Sequence, residues 1–225
     1  MKFISSDSSR VIATFSADEI RPESGIVPGD FIRAIIDRYK FLVSPNLDQM
    51  NRENFRNFTF RGGGLIAGRR TIEILELTIV DGGVVIDTRN SDDGEFVLDD
   101  LFAWATATFG LRPLRTPMKR SYLSSIVAEL DERVASKMNL FAEIAEILAR
   151  QFSVQYEKGY PYSFSKFGFS CDPTVLAPGT VRTEFSIERR ANHSFDTNLF
   201  YCQSPFPTRT TAELLERVEQ LLLRG

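Results

Sequence analysis

One histidine, one tryptophan and two cysteines are all that this chain of 225 residues spends on the side chains most often recruited for metal binding and nucleophilic catalysis. A zinc site or a hydrolase triad would have to be built on His193, in "RRANHSFD". Its neighbours Asn192 and Ser194 are loop residues, and no second histidine stands three or four positions away, so His193 is expected on a surface loop. Cys171 and Cys202 form no C-x-x-C pair and are too few to staple a secreted fold. They are expected as a reduced, buried pair. No run approaches the roughly 18 consecutive apolar residues of a membrane span. The start, "MKFISSDSSR", turns polar too early for a secretory core, so the expected location is cytoplasmic and no membrane partner is expected.

Charge of one sign is also missing. The net charge is −3 and the isoelectric point is near 5.4, so the overall balance does not call for nucleic acid. The nucleophile elbow G-x-S-x-G does not occur. Glu184 and Glu188 in "TEFSIERR" are not followed in register by the lysine that a restriction-type nuclease needs. Six aspartates (81, 87, 92, 93, 99 and 100) lack the spacing of a calcium loop, and those at 92, 93, 99 and 100 fit a helix start, where negative charge is favourable. No catalytic residue, metal site or cofactor is therefore expected.

The glycines of "RGGGLIAGRR", residues 61–70, come nearest to a motif. Gly62, Gly64 and Ala67 fit a dinucleotide-loop spacing, and Gly63 with Gly68 fits a phosphate loop. The phosphate loop fails because Arg69 and Arg70 stand where lysine and the metal-binding hydroxyl belong. The dinucleotide loop fails because "TIEILELTIV" follows, a β-branched run that prefers strand to helix. A turn over 67–70 is expected, with Gly62–Gly64 a flexible or bulged strand end.

What the chain does contain is ordinary for a globular protein, 43% hydrophobic and 25% charged, with a pattern that runs twice. "DFIRAIIDRYKFLV" from Asp30 and "NLFAEIAEILARQF" from Asn139 are each a polar cap followed by an apolar helical stripe. Phe31, Ile35, Tyr39 and Leu42 form the first stripe. Leu140, Phe141, Ile144, Ile147, Leu148 and Phe152 form the second. The same offset of 109 residues carries "FTF" at 58–60 onto "FGF" at 167–169, and "TIEI" at 71–74 onto "TVRT" at 180–183. "GLIAGRRT" falls on "PTVLAPGT", in which Pro178-Gly179 is a plain turn. Further on, "VVIDT" matches "LFYCQ", and the helix "LDDLFAWATATF" matches "TAELLERVEQLL".

Each half therefore reads as strand, helix, three strands, helix. Val181, Thr183, Phe185 and Ile187 alternate with Arg182, Glu184, Ser186 and Glu188, as on a sheet with one wet face. "DGG" at 81–83 is a hairpin turn, and a break of phase near Ile74 and Leu75 marks a bulge. Gly110 stops a helix, and "GLRPLRTP" at 110–117 is the linker. Residues 121–136 break the scheme: Leu123, Ile126, Val127, Leu130 and Val134 space like a helix where the repeat asks for a strand.

The expected fold is α+β, a tandem pseudo-repeat of antiparallel meanders with helices on one face, divided into 1–110 and 111–225 or merged into one domain. Arg69 and Arg70 sit at one hairpin, Arg189 and Arg190 at another, and these four are the expected ligand-binding residues. The aromatic stretch "YPYSFSKFGF" at 160–169 reads as an edge strand packed on a helix or as a partner surface. The function expected from this is a non-enzymatic binding or scaffold protein. It would engage a partner protein, a second copy of itself or a small anionic ligand between its repeats. Two other readings stay open beside it, an enzyme acting on a phosphate-containing substrate and a nucleic-acid-binding module.

Overall fold

The computed structural model describes residues 1–16, 25, 27–45, 57–137, 141–156, 161–175 and 184–224. Among these the elements run β1 (Lys2–Thr14), α1 (Pro28–Tyr39), β2 (Asn57–Ala67), β3 (Arg70–Val80), β4 (Gly83–Thr88), α2 (Ser91–Phe109) and β5 (Lys119–Glu129). They continue with α3 (Glu132–Lys137), α4 (Ala142–Tyr156), β6 (Lys166–Ser170), β7 (Glu184–Arg189), β8 (Leu199–Ser204) and α5 (Thr208–Arg224). The fold is α+β. Its eight strands form an antiparallel sheet in the order β2-β3-β4-β1-β5-β8-β7-β6. No described helix is long and apolar enough to cross a membrane. The chain divides into two compact units, one of Ser6–Ser124 with Pro205–Arg209, the other of Met1–Ser5, Ser125–Ser204 and Thr210–Gly225.

In the unit that begins at Ser6, two tight hairpins set the register. Ala67 pairs with Arg70 across a turn whose Gly68 has φ +64°, and Val80 pairs with Gly83 across Gly82 at φ +79°. Glycine takes such angles at no steric cost. The register of β3 against β4 shifts between Ile74 and Glu76, which leaves Leu75 as the bulged residue. Because a strand follows Gly68, no helix N-terminus meets the glycine segment. Gly62–Gly64 lies inside β2, not at a strand end. A side chain on Gly63 would stand 2.5 Å from Cδ1 and 3.0 Å from Cζ of Phe41, so the glycine there makes room for a buried ring.

α1 starts at Pro28 with Val27 as its N-cap, earlier than the Asp30 cap read from the sequence, because proline suits the first helical turn. It ends at Tyr39, where Lys40 turns left-handed. Leu42 therefore lies beyond the helix and is 86% exposed, while Ile32, Ile35 and Tyr39 are buried. α2 starts at Ser91, capped by Asn90, whose side chain accepts from the Asp93 amide at 2.9 Å, and it stops at Gly110 in the left-handed region. Asp99 and Asp100 consequently fall inside the helix, not at its start. Asp100 accepts two hydrogen bonds from Arg38, at 2.6 and 3.0 Å, and one from the Tyr39 hydroxyl at 2.8 Å, tying α2 to α1.

In the other unit the core is Ile126, Ala128, Leu130, Val134, Phe185, Ile187, Phe200, Cys202 and Leu215. The helix read over 121–136 is instead the strand β5 followed by the short helix α3. Residues 124–128 are buried at every position, so the apolar residues of this inner strand do not alternate, and their spacing imitates a helix. Ser186 is buried as well, so β7 has no fully wet face. The segments 176–183, with "TVRT" and the Pro178-Gly179 turn, and 138–140, with Asn139 and Leu140, lie outside the described residues.

Candidate functional site

α4 has the sequence of a core helix and the exposure of a surface one. Phe141, just before it, and Ile144, Ile147 and Leu148 within it are 52, 54, 40 and 46% exposed, and none of the helix's described residues is buried. This is the stripe expected to face a core. The core of this unit draws its helical side chains from α3 and α5, through Val134 and Leu215, and includes no residue of α4.

Beside the stripe runs an open groove of about 370 Å³. One wall is the small-residue side of α4, with Ala142, Ala145 and Ala149, and the other is the extended segment Pro161–Phe164. Phe141 stacks on Phe164 at 5.1 Å, closing one end, and Phe152 meets Tyr156 at 4.3 Å and Tyr162 at 5.9 Å. Among the described residues Glu146 is the one charged residue in the lining. Three alanines keep the floor low, so a side chain from outside has depth to enter, and the surrounding rings offer apolar contact.

The arginines read from the sequence occupy different situations. Arg69 is exposed in the β2–β3 turn. Arg70 lies 3.0 Å from Oδ1 of the shielded Asp93 and over the Phe96 ring at 6.0 Å. That contact lacks hydrogen-bond geometry, and Asp93 Oδ1 accepts no hydrogen bond among the described residues. Arg189, the last residue of β7, donates to the carbonyls of Phe164 at 3.3 Å and Phe195 at 2.9 Å. It also lies over the rings of Phe195 and Phe200, at 4.6 and 5.4 Å. Burial lowers its pKa, with Asp196 opposing, yet an arginine stays charged throughout the ordinary range. Its neighbour Arg190 lies over Tyr201 at 5.8 Å.

Several other polar groups are engaged in structure. Arg120 bridges Glu95 and Asp99, and Tyr122 donates to Glu95 at 2.5 Å. Desolvation, then the bond to that carboxylate, pushes the Tyr122 hydroxyl up to about 12. Asp87 forms a two-bond pair with Arg10. No group of three or more potential metal ligands occurs among the described residues. His193 is exposed in the β7–β8 loop. The cysteines differ: Cys202 is buried, which pushes its thiol up to about 12, whereas Cys171 is exposed and forms no buried pair with it.

Sequence reasoning located α4 and its stripe but assigned the stripe to a core. The short helix Glu132–Lys137, which the sequence reading merged into a longer helix, contributes Val134 to that core. Comparison with protein-family models and with curated proteins finds no match for this chain, so its geometry is what speaks for its function.

Proposed function

We propose that this protein binds another protein through the exposed apolar face of α4 and the groove beside it. The observation that carries the reading is the exposure of Phe141, Ile144, Ile147 and Leu148 together on less than three helical turns. Fully burying one such side chain is worth about 1.5–3 kcal/mol, and each of the four, half-exposed, leaves roughly half of that unrealised. Contiguous patches of this kind belong to interaction surfaces. Glu146 in the groove and Glu143 beside it give the partner its chemistry: an apolar segment, helical or extended, carrying a lysine or arginine.

An anionic ligand held by the four arginines receives less support, because Arg70 and Arg189 are occupied by Asp93 and by backbone carbonyls. The exposed thiol of Cys171 fits a reducing compartment such as the cytoplasm. We also infer that the chain is a duplicated unit. The element order is strand, helix, three strands, helix in the first half, and the second half differs only in splitting its first helix into α3 and α4. The strand order reads outward as β4-β3-β2 from β1 and as β8-β7-β6 from β5. On this reading the second copy has exposed the helix that the first copy buries.

The test is a photo-crosslinking residue at Ile147, on the apolar face, in the native host. A discrete adduct with one protein is expected, lost when Ile144 and Leu148 are both changed to Asp. No adduct at Ile147, or an adduct indifferent to those substitutions, would count against the proposal.

A further inference from the structure

The shape of the groove beside α4 selects what can enter it. Ala142 and Ala149 stand seven residues apart on the helix, about 10 Å of wall, and the facing segment Pro161–Phe164 is about as long. At one end Phe141 stacks on Phe164 at 5.1 Å, and at the other Phe152 meets Tyr162 at 5.9 Å. The two walls are therefore joined ring to ring at both ends. A helix, about 10–12 Å across, does not enter between walls held that closely.

Nor is the groove a template for a paired strand. α4 spends its own amides and carbonyls within the helix. On the other wall Pro161 brings no amide hydrogen. The carbonyl of Phe164 accepts from the Arg189 side chain, and that of Ser165, just beyond, accepts from the Arg189 amide. A chain lying here gains no ladder, so its backbone groups must stay in water. The polyproline II helix meets that condition, being extended, free of internal hydrogen bonds and solvated along its backbone.

Glu146 adds a charge requirement. It lines the groove, is exposed and forms no ion pair among the described residues, so its carboxylate is open to a cation from outside.

We propose that the groove holds a proline-rich segment of the partner in the polyproline II conformation, with an arginine beside it on Glu146; this rests on the reading of α4 as a protein-binding face. Prolines three residues apart stand about 9 Å apart in that helix, so one falls on the Phe141–Phe164 pair and the next on Phe152 and Tyr162. Ala145 and Ala149 leave depth for the residues between them. Aromatic-lined grooves suit such segments because the ligand is ordered before it binds and loses little freedom. Arginine is favoured over lysine because its planar fork matches a carboxylate.

Fluorescence anisotropy of the full chain with a short labelled peptide, one arginine followed by a Pro-x-x-Pro core, tests this. Saturable binding is expected below about 1 mM peptide. Replacing the peptide's prolines by alanine should weaken it roughly tenfold, and so should filling the floor with Ala145→Leu and Ala149→Leu together. Glu146→Arg should weaken it roughly fivefold and restore binding of the same peptide with glutamate in place of arginine. Circular dichroism establishes that the variants fold. Absence of saturable binding, an alanine peptide that binds as tightly, or a charge exchange that fails to restore affinity would overturn the proposal. If the adduct at Ile147 persists in that case, the proposal falls alone and α4 remains the binding face; if the adduct is missing too, both fall.

Discussion

Replacing Gly63 by alanine puts a methyl group 2.5 Å from Cδ1 and 3.0 Å from Cζ of Phe41, a ring that is itself buried. Carbon atoms rest at about 3.5–4.0 Å, so ring and strand must separate by roughly 1 Å. The ring is confined on its other sides by Phe60, 5.2 Å away between centroids, and by Tyr39 at 6.0 Å. Forcing a methyl into a packed site costs about 1–3 kcal/mol. Against this, alanine in a strand restricts the unfolded chain and recovers about 0.4–1 kcal/mol. The clash wins, and Gly63→Ala should destabilise by about 1–2 kcal/mol, lowering Tm by about 2–8 °C for a chain of this size. Gly64 is the control, since a methyl there meets nothing nearer than 3.6 Å, and Gly64→Ala should leave Tm unchanged or slightly raised. Phe41→Leu in the Gly63→Ala background should cost less than the two single changes added together. The assay is thermal unfolding followed by circular dichroism and tryptophan fluorescence. A Gly63→Ala protein as stable as the parent would refute the reasoning and reopen the question of why three glycines stand together.

Arg189→Ala should destabilise by about 1–2 kcal/mol, because two carbonyls lose a charged donor and two rings lose their cation, while Arg69→Ala at the exposed turn should change Tm by less than a degree or two. A thiol reagent at pH 8 should label one cysteine in the native protein, Cys171, and a second only on unfolding; two rapid equivalents would contradict the burial of Cys202. The Cys202 thiol is raised from 9.0 to about 12, so its contribution to stability is complete below pH 9 and is lost as pH rises toward 12, where the unfolded thiol ionises first. Urea midpoints from pH 8 to 11 should fall less in Cys202→Ala than in the parent. Asp100→Asn should cost about 1–3 kcal/mol by weakening the bonds from Arg38 and Tyr39, read from the same melts.

The sequence revealed a good deal of this where local rules decide the outcome. Gly68 and Gly82 mark hairpins because their backbones need positive φ, and Gly110 ends α2 for the same reason. The β-branched run after Gly68 is enough to reject a nucleotide loop. Residues 124–128 could not be read correctly, since a strand buried on both sides has no alternation, and only its neighbours β1 and β5's other partner β8 distinguish it from a helix. α4 misled for the opposite reason. Amphipathic spacing says that a face wants cover and does not say whether the same chain supplies it. The arginines were visible as pairs, but Phe164 and Asp93, which help to hold Arg189 and Arg70, lie more than twenty residues away in sequence, and the nearer Phe195 acts through its backbone carbonyl, which no residue pattern marks.

Placing a photo-crosslinking residue at Ile147 in cells and resolving the products by mass is the most direct measurement of whether the exposed face of α4 is a binding surface. A single heavier species containing one other polypeptide, absent when Ile144 and Leu148 are aspartate, is the predicted result. Only the uncrosslinked chain, with those substitutions making no difference, would contradict it.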